Sequence, residues 1–478
     1  MLTVSVATAL LWTVPAGAET PAAGGAAGDV PSGDVAAGGL LGPEDEAVEA
    51  KYAALGGSAG VLGAPLDALR CSVTSCVQEY EHGWIYWFSG VPSAVAFTDE
   101  ALHSAWLSGG GTGVPVPGSV GRPTSDSFCG LPSGGCGQHF EHGSLYHSAA
   151  TALSRVDPVT RAGWSAEGWE RGVLGYPTTS TFCGLRDGGC GQHFQGGSVY
   201  WSPGTGSRVV RGPVRDRWAD QGWENGSLGL PTTSTFCGLR DGGCGQHFQG
   251  GSVYWSPSSG ARVVAPEVVG RWADQGWENG ALGYPTSEAF VGADRSRGQH
   301  FRGGSVYWTW SGTFTVLGPI RDRWGAQGWE RGALGRPTSD TFCGLREGGC
   351  GQHFQGGSIY WSPGTGARVV PRSVQAPWSR HGWETGSMGF PTSEVFCGLR
   401  GGGCGQHFQG GSVYWSDGTV PSAVIGPMRD RWAALGWETG RLGYPTREPA
   451  AYANGGSWQP FQGGTLQVVG GRTSVTYR

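Results

Sequence analysis

The chain has 478 residues with 91 Gly and 29 Pro, a breaker content typical of disorder, yet 23 Trp and 11% aromatics exclude a chain with nothing to bury. Glycine falls well short of every third residue, which excludes collagen, and a net charge of −5 offers no polybasic field for nucleic acid or anionic lipid. Lys51 is the one lysine, so lysine chemistry cannot serve a recurring site.

In chain order, the apolar run Leu2 to Val14 leads into Ala16-Gly17-Ala18 and predicts a secretory signal peptide over 1–18, cleaved before Glu19, although no basic residue precedes Lys51. No later stretch reaches the ~20 apolar residues of a membrane helix, so no membrane span is expected. The first cysteine, Cys71, lies too far in for a lipid anchor at the cleavage point, and the end Val475-Thr476-Tyr477-Arg478 is no hydrophobic sorting tail. Export without an anchor implies secretion, with or without non-covalent attachment to a wall. Residues 19–50, rich in Ala, Gly, Pro and acids, predict a flexible linker.

From residue 51 the chain repeats. A Leu-Gly-x-Pro-like turn places prolines at Pro65, Pro123, Pro177, Pro231, Pro285, Pro337, Pro391 and Pro445, a period near 54. Eight units are expected, over 51–105, 106–160, 161–212, 213–266, 267–318, 319–372, 373–426 and 427–478. A unit copied at this period cannot bury its apolar face alone and must pack on its neighbours.

The fourth unit is typical. Pro213 suits the first turn of a helix, Val214 and Trp218 share a face, and Gly222 stops it. A glycine-rich turn runs from Gly222-Trp223-Glu224 to Leu228-Gly229-Leu230-Pro231. Phe236-Cys237 and Cys244-Gly245-Gln246-His247-Phe248 then form a hairpin, and Gly251 to Trp255 and Arg262 to Val264 add further β segments. The fold class is therefore a β-rich α+β tandem repeat, each unit a short helix plus three or four short strands. A propeller-like ring is favoured over an open array because closure leaves few exposed edges.

Twelve cysteines form six local pairs: Cys71 with Cys76, Cys129 with Cys136, Cys183 with Cys190, Cys237 with Cys244, Cys343 with Cys350 and Cys397 with Cys404. Cys-x6-Cys-x2-His could also offer three zinc ligands per unit. The fifth unit loses both cysteines (Val291, Arg297) and keeps His300, while the first keeps Cys71 and Cys76 and has Tyr80 after Gln78-Glu79. Ligands of one site should not separate that way, so disulfides are expected and no metal.

The repeated motif, W-x3-GWE-x-G-x-LG-x-P followed by a G-x-x-Q-x-F and Tyr-Trp strand pair, stands at Trp164–Pro177, Trp218–Pro231, Trp272–Pro285, Trp324–Pro337, Trp378–Pro391 and Trp432–Pro445. It resembles the LGFP repeat family, most closely at Met388-Gly389-Phe390-Pro391. The first unit departs from it with Tyr52 and Gly57 in the Trp slots, the second has only Gly121-Arg122-Pro123 after an irregular stretch, and the last lacks Tyr-Trp. The resemblance implies association with cell-wall polysaccharide, since such repeats extend mycolyltransferases and wall hydrolases in mycolic-acid bacteria; it brings no catalytic residues and no cofactor.

A secreted, non-catalytic protein that binds wall polysaccharide (arabinogalactan or peptidoglycan) weakly at each unit is the expected function. The alternative is a wall hydrolase or acyl-transferase accessory protein with an unrecognised active site, serving an unknown wall enzyme. Gly56-Gly57-Ser58-Ala59-Gly60 matches a nucleophile elbow by letters but follows a helix where a strand is required. The GWE carboxylates Glu170, Glu224, Glu278, Glu330, Glu384 and Glu438 recur with identical neighbours, as turn residues do. The helix tryptophans Trp164, Trp218, Trp272, Trp324, Trp378 and Trp432 are assigned to the core. Strand alternation sends Val253 and Trp255 to one side and Tyr254 to the other, leaving one side open. The candidate glycan-binding residues are the GWE tryptophans Trp169, Trp223, Trp277, Trp329, Trp383 and Trp437, flat rings in glycine-flanked turns. Histidines His139, His193, His247, His300, His353 and His407 are expected to hydrogen-bond within strands.

Overall fold

A computed structural model describes residues 42–111, 118–292, 295–310, 312–453 and 455–478. The expected signal peptide and residues 19–41 of the expected linker lie outside these. The linker reading needs correction at its end: Pro43 opens a helix that runs to Ala54, with Glu44, Asp45 and Glu46 in its first turn, where acids favour the helix dipole.

Eight α-helices are described: α1 (Pro43–Ala54), α2 (Glu100–Ser108), α3 (Pro158–Ala166), α4 (Gly212–Asp220), α5 (Pro266–Asp274), α6 (Gly318–Ala326), α7 (Arg372–Arg380) and α8 (Gly426–Ala434). Each precedes a separate four-stranded antiparallel sheet whose strands follow chain order. The unit is thus one short helix and four strands. In the fourth unit these are Phe236–Leu239, Gly243–Phe248, Gly251–Ser256 and Gly260–Val264, with Cys237 opposite Cys244, Cys244 opposite Trp255 and Tyr254 opposite Arg262. Gly222, at φ +88°, ends the helical path as a left-handed residue, the conformation glycine adopts most cheaply.

All six cysteine pairs are disulfides across the first two strands of their sheets: Cys71 is bonded to Cys76, Cys129 to Cys136, Cys183 to Cys190, Cys237 to Cys244, Cys343 to Cys350 and Cys397 to Cys404. The two ends of each bridge differ in exposure. The first cysteine of every pair is exposed, whereas Cys76, Cys136 and Cys190 are buried and Cys244, Cys350 and Cys404 half-buried. The second end lies on an inner strand, where Cys190 stands opposite Trp201, Cys350 opposite Trp361 and Cys404 opposite Trp415, while its partner lies on the edge strand.

The fifth unit keeps the same pairing without a bridge, Val291 standing opposite Arg297. Cys244 and His247 are three apart on one strand and so point to opposite faces; the three possible zinc ligands do not converge.

Both faces of an inner sheet are covered. Val253 (0% exposed) packs on its own unit's core with Trp218, while Tyr254 (3%) joins the next core with Val268 and Trp272. The open side expected from alternation is therefore absent, because each sheet is sandwiched between its own helix and the following one. Gly245 sits opposite Tyr254, and a Cβ there would come within 2.7 Å of the Tyr254 ring and 2.8 Å of Phe236.

In seven units the helix Trp is buried and its indole N–H donates to the glycine carbonyl of the Leu-Gly-like turn, from Trp106 to Gly121 at 3.0 Å through Trp432 to Gly443 at 3.1 Å. The second unit, read as irregular from the sequence, has this helix too: α2 crosses the expected boundary at 105/106 and puts Trp106 in the Trp slot. The cores join each sheet to the next helix and sheet, and among the described residues none joins the eighth unit to the first. The expected ring closure is not seen in this packing. A local reason is visible in the last sheet, where half-buried Gln467 replaces the tyrosine that elsewhere seats a following helix.

Candidate functional site

The seam between consecutive units carries a niche repeated six times. Its floor is the second and third strands of one sheet, and its wall is the next helix and GWE turn. The Nδ1 atoms of His139, His193, His247, His300, His353 and His407 lie 2.7–2.9 Å from the Oγ atoms of Ser144, Ser198, Ser252, Ser305, Ser358 and Ser412. From the following helix, Arg161 Nη1 (3.2 Å), Arg215 Nε (2.8 Å), Arg321 Nε (2.7 Å) and Gln375 Nε2 (2.6 Å) donate to the same serine oxygens. In four niches the serine oxygen thus bonds both the helix donor and His Nδ1, and Nε2 is the polar atom the imidazole keeps for a further hydrogen bond.

Burial holds these imidazoles neutral. It pushes all six below the usual histidine range, His300 to about 4, with Arg161, Arg215, Arg321 and Arg429 adding to the shift at His139, His193, His300 and His407. The serine–histidine pairs have the spacing of a nucleophile and base, but the hydroxyls are inside the fold: Ser198, Ser305, Ser358 and Ser412 are 0% exposed.

The GWE tryptophans line these niches. Each is partly buried, with its ring edge-on to the helix Trp at 5.1–5.3 Å between centroids. Trp223, Trp277, Trp383 and Trp437 also stack on the preceding sheet's Tyr200, Tyr254, Tyr360 and Tyr414. All six have φ of 54–59°, a left-handed backbone that is a costly outlier for a bulky residue. In the first two units glycine takes this conformation, at Gly57 (φ 60°) and Gly111 (φ 41°).

The GWE glutamates are a separate feature. Glu224, Glu278, Glu384 and Glu438 are 4–8% exposed, and Asn225 and Asn279 donate to the first two. After burial itself, their charges are the next cause holding Tyr200, Tyr254, Tyr360 and Tyr414 above the usual phenol range. Each glutamate lies in its own seam core, as turn residues would. Ser58 is exposed in a one-turn 3-10 segment after α1, without the strand-to-helix turn that a nucleophile elbow needs.

Sequence reasoning missed the residues that weld the seam. The glutamine before each niche histidine is 0% exposed at Gln138, Gln192, Gln246, Gln299, Gln352 and Gln406, as is Gln459 in the last unit. Its amide donates backward to the last strand of the preceding sheet and to its own loop, as Gln246 does to Val209 (3.1 Å) and Thr233 (2.7 Å). A carboxylate a few residues beyond the turn caps the same strand: Asp340 accepts from Thr315 N at 2.8 Å and pairs with Arg271. Strand spacing could have revealed the glutamine, since Gln246 shares a face with Cys244 and Phe248 and is polar on a buried stripe.

The model of the LGFP repeat matches six times, over 120–172, 174–226, 228–280, 282–332, 334–386 and 388–440. The chain belongs to the LGFP repeat family. The LGFP match begins at the Leu-Gly-x-Pro turn and ends after GWE, so one sequence repeat comprises a sheet, the next helix and the Trp that closes the niche between them. Six disulfides in an LGFP array are the chemistry of an oxidising, extracytoplasmic compartment. Among the described residues no helix is long and apolar enough to cross a membrane.

No curated relative matches the sequence. Among solved structures, the LGFP chain is similar to the TCP10 domain of Danio rerio CPAP in complex with a peptide of STIL, at 10% identity and TM-score 0.19, covering 62% of this chain and 98% of that one. It is also similar to the extracellular domain of the putative hybrid two component system BT4673 from B. thetaiotaomicron (11%, TM-score 0.12, 84% of this chain and 44% of that one). A third is PorZ of Porphyromonas gingivalis (9%, TM-score 0.14, 84% and 48%). Likeness at this level carries no argument about the niches.

Proposed function

We propose that the protein is a secreted, non-catalytic array that attaches to cell-wall polysaccharide through its seam niches. The observation that carries this reading is the strained GWE tryptophan. Six units hold a bulky ring in a backbone conformation that two sister units fill with glycine, at a cost of about 1–3 kcal/mol each. Such a cost makes sense where the ring is needed, and the ring shares its niche with an imidazole whose Nε2 can bond a hydroxyl. A flat indole edged by hydrogen-bonding side chains suits a sugar ring, apolar on its face and polar at its rim.

One niche holds little area, so each contact is weak, and linkage raises the total. Several linked sites strengthen binding by roughly 10²–10⁴-fold where they engage one polymer together. Wall arabinogalactan or peptidoglycan is the partner that membership of the LGFP family favours. Purified protein mixed with isolated arabinogalactan–peptidoglycan is expected to sediment with it and to be released by soluble polysaccharide; protein left in the supernatant at low salt refutes the reading.

A further inference from the structure

The six niches differ at one helix position. Arg161, Arg215, Arg321 and Arg429 occupy it in four, Val269 in the one at Trp277 and Gln375 in the one at Trp383. The guanidinium of Arg215 lies over the Trp223 ring at 5.4 Å, and that of Arg321 over Trp329 at 5.5 Å. A cation seated on an indole competes with any other ring for it. At Trp383 the helix supplies a neutral amide instead, and Gln375 turns toward Ser358. The result is a groove of about 590 Å³ that includes Thr338, His353, Gln375, Ser379 and Trp383 in its lining. That volume lies within the roughly 300–1,000 Å³ of small-molecule sites.

Resting on the wall-binding reading, we infer that the niches are unequal and that the groove at Trp383 is the array's anchoring subsite for a sugar residue of a polysaccharide chain. The sugar face lies on the Trp383 indole. Hydroxyls at its rim, which can donate or accept, meet Nε2 of His353 and the side chains of Thr338 and Ser379. The groove lining contains no carboxylate, so a neutral sugar meets no buried acid; its one guanidinium is that of Arg372, at the first position of α7 and not at the position of Arg215 and Arg321. The Val269 niche leaves its ring without a guanidinium as well, but Val269 packs on the core with Trp277 and supplies no polar rim. In the niches at Trp223 and Trp329 the guanidinium must leave the ring before a sugar can lie on it, which makes those contacts weaker.

The test uses the full chain and isolated arabinogalactan–peptidoglycan. Trp383→Gly keeps the backbone conformation that Gly57 and Gly111 adopt, and Gln375→Arg keeps the ring but places a guanidinium beside it. Each is expected to weaken binding roughly tenfold, a loss about fivefold larger than that from Trp223→Gly, while Arg215→Gln strengthens binding. Equal losses from Trp383→Gly and Trp223→Gly, or wild-type binding by Gln375→Arg, overturn the anchoring role and leave wall binding intact. A wild-type chain that does not bind overturns both.

Discussion

The buried side-chain amide of Gln246 donates to the backbone carbonyl of Val209, 37 residues earlier, across the seam between two units. The bond is one more rung on the last strand of the preceding sheet, an edge that Ser234 and Thr235 also pair. Replacing Gln246 with Leu leaves the Thr233 carbonyl unpaired in the seam and should cost about 2 kcal/mol. An array of units need not unfold in one step, so the measurement is hydrogen exchange at that seam; protection lost around 209 and 233 first is the expected pattern.

The other end of this glutamine differs among units. Thr235 and Thr341 donate to Gln246 and Gln352 Oε1 at 2.6 and 2.7 Å, whereas Gln406 and Gln459 Oε1 have no partner. Val395 stands in the seventh unit where those threonines stand. Val395→Thr gives up a methyl group, worth about 0.8 kcal/mol, and satisfies an orphaned acceptor worth about 1–3 kcal/mol. A small rise in the thermal midpoint is expected, with no rise for the same change at an exposed valine such as Val73.

Acid should loosen the array. Burial lowers the niche histidines and His103, with His103 and His300 reaching about 4, so all of them protonate less readily folded than unfolded. Stability from these groups is complete above about pH 6.5 and falls as pH drops toward 4, because the unfolded chain binds the protons. Thermal unfolding followed from pH 7.5 to 4.5 should show a falling midpoint, and His300→Gln should flatten the decline.

The fifth unit offers a test of the disulfides. Val291 and Arg297 are cross-strand partners where Cys190, Cys350 and Cys404 meet their partners in other units. Changing both to cysteine should yield a bridge in oxidised protein, with free-thiol titration near zero and a gain of about 2 kcal/mol by loop entropy. Two free thiols would show that this hairpin cannot bring them together.

Much of the unit was legible because period, breakers and aromatic spacing all mark local structure. Pro213, Val214, Trp218 and Gly222 delimit a helix by rules that act within a few residues. The cystine hairpin follows from cysteines on either side of a glycine turn. What acts across a seam was not legible: the backward reach of Gln246, the stacking of Trp223 on Tyr200 and the cation over its ring all involve preceding-unit residues or a helix side chain whose direction spacing cannot give. Trp106 escaped for a different reason. Fifteen positions separate it from its partner Gly121, against eleven in the complete units, so the motif was broken in sequence while intact in space.

Competition sedimentation tests multivalent attachment most directly. Wild-type protein bound to isolated arabinogalactan–peptidoglycan is challenged with soluble wall polysaccharide and with its short fragments at equal sugar concentration. Attachment through several linked niches predicts that the polymer displaces the protein at concentrations roughly 10²–10⁴-fold below the fragments. Equal potency of polymer and fragments, or no sedimentation at low salt, would contradict it.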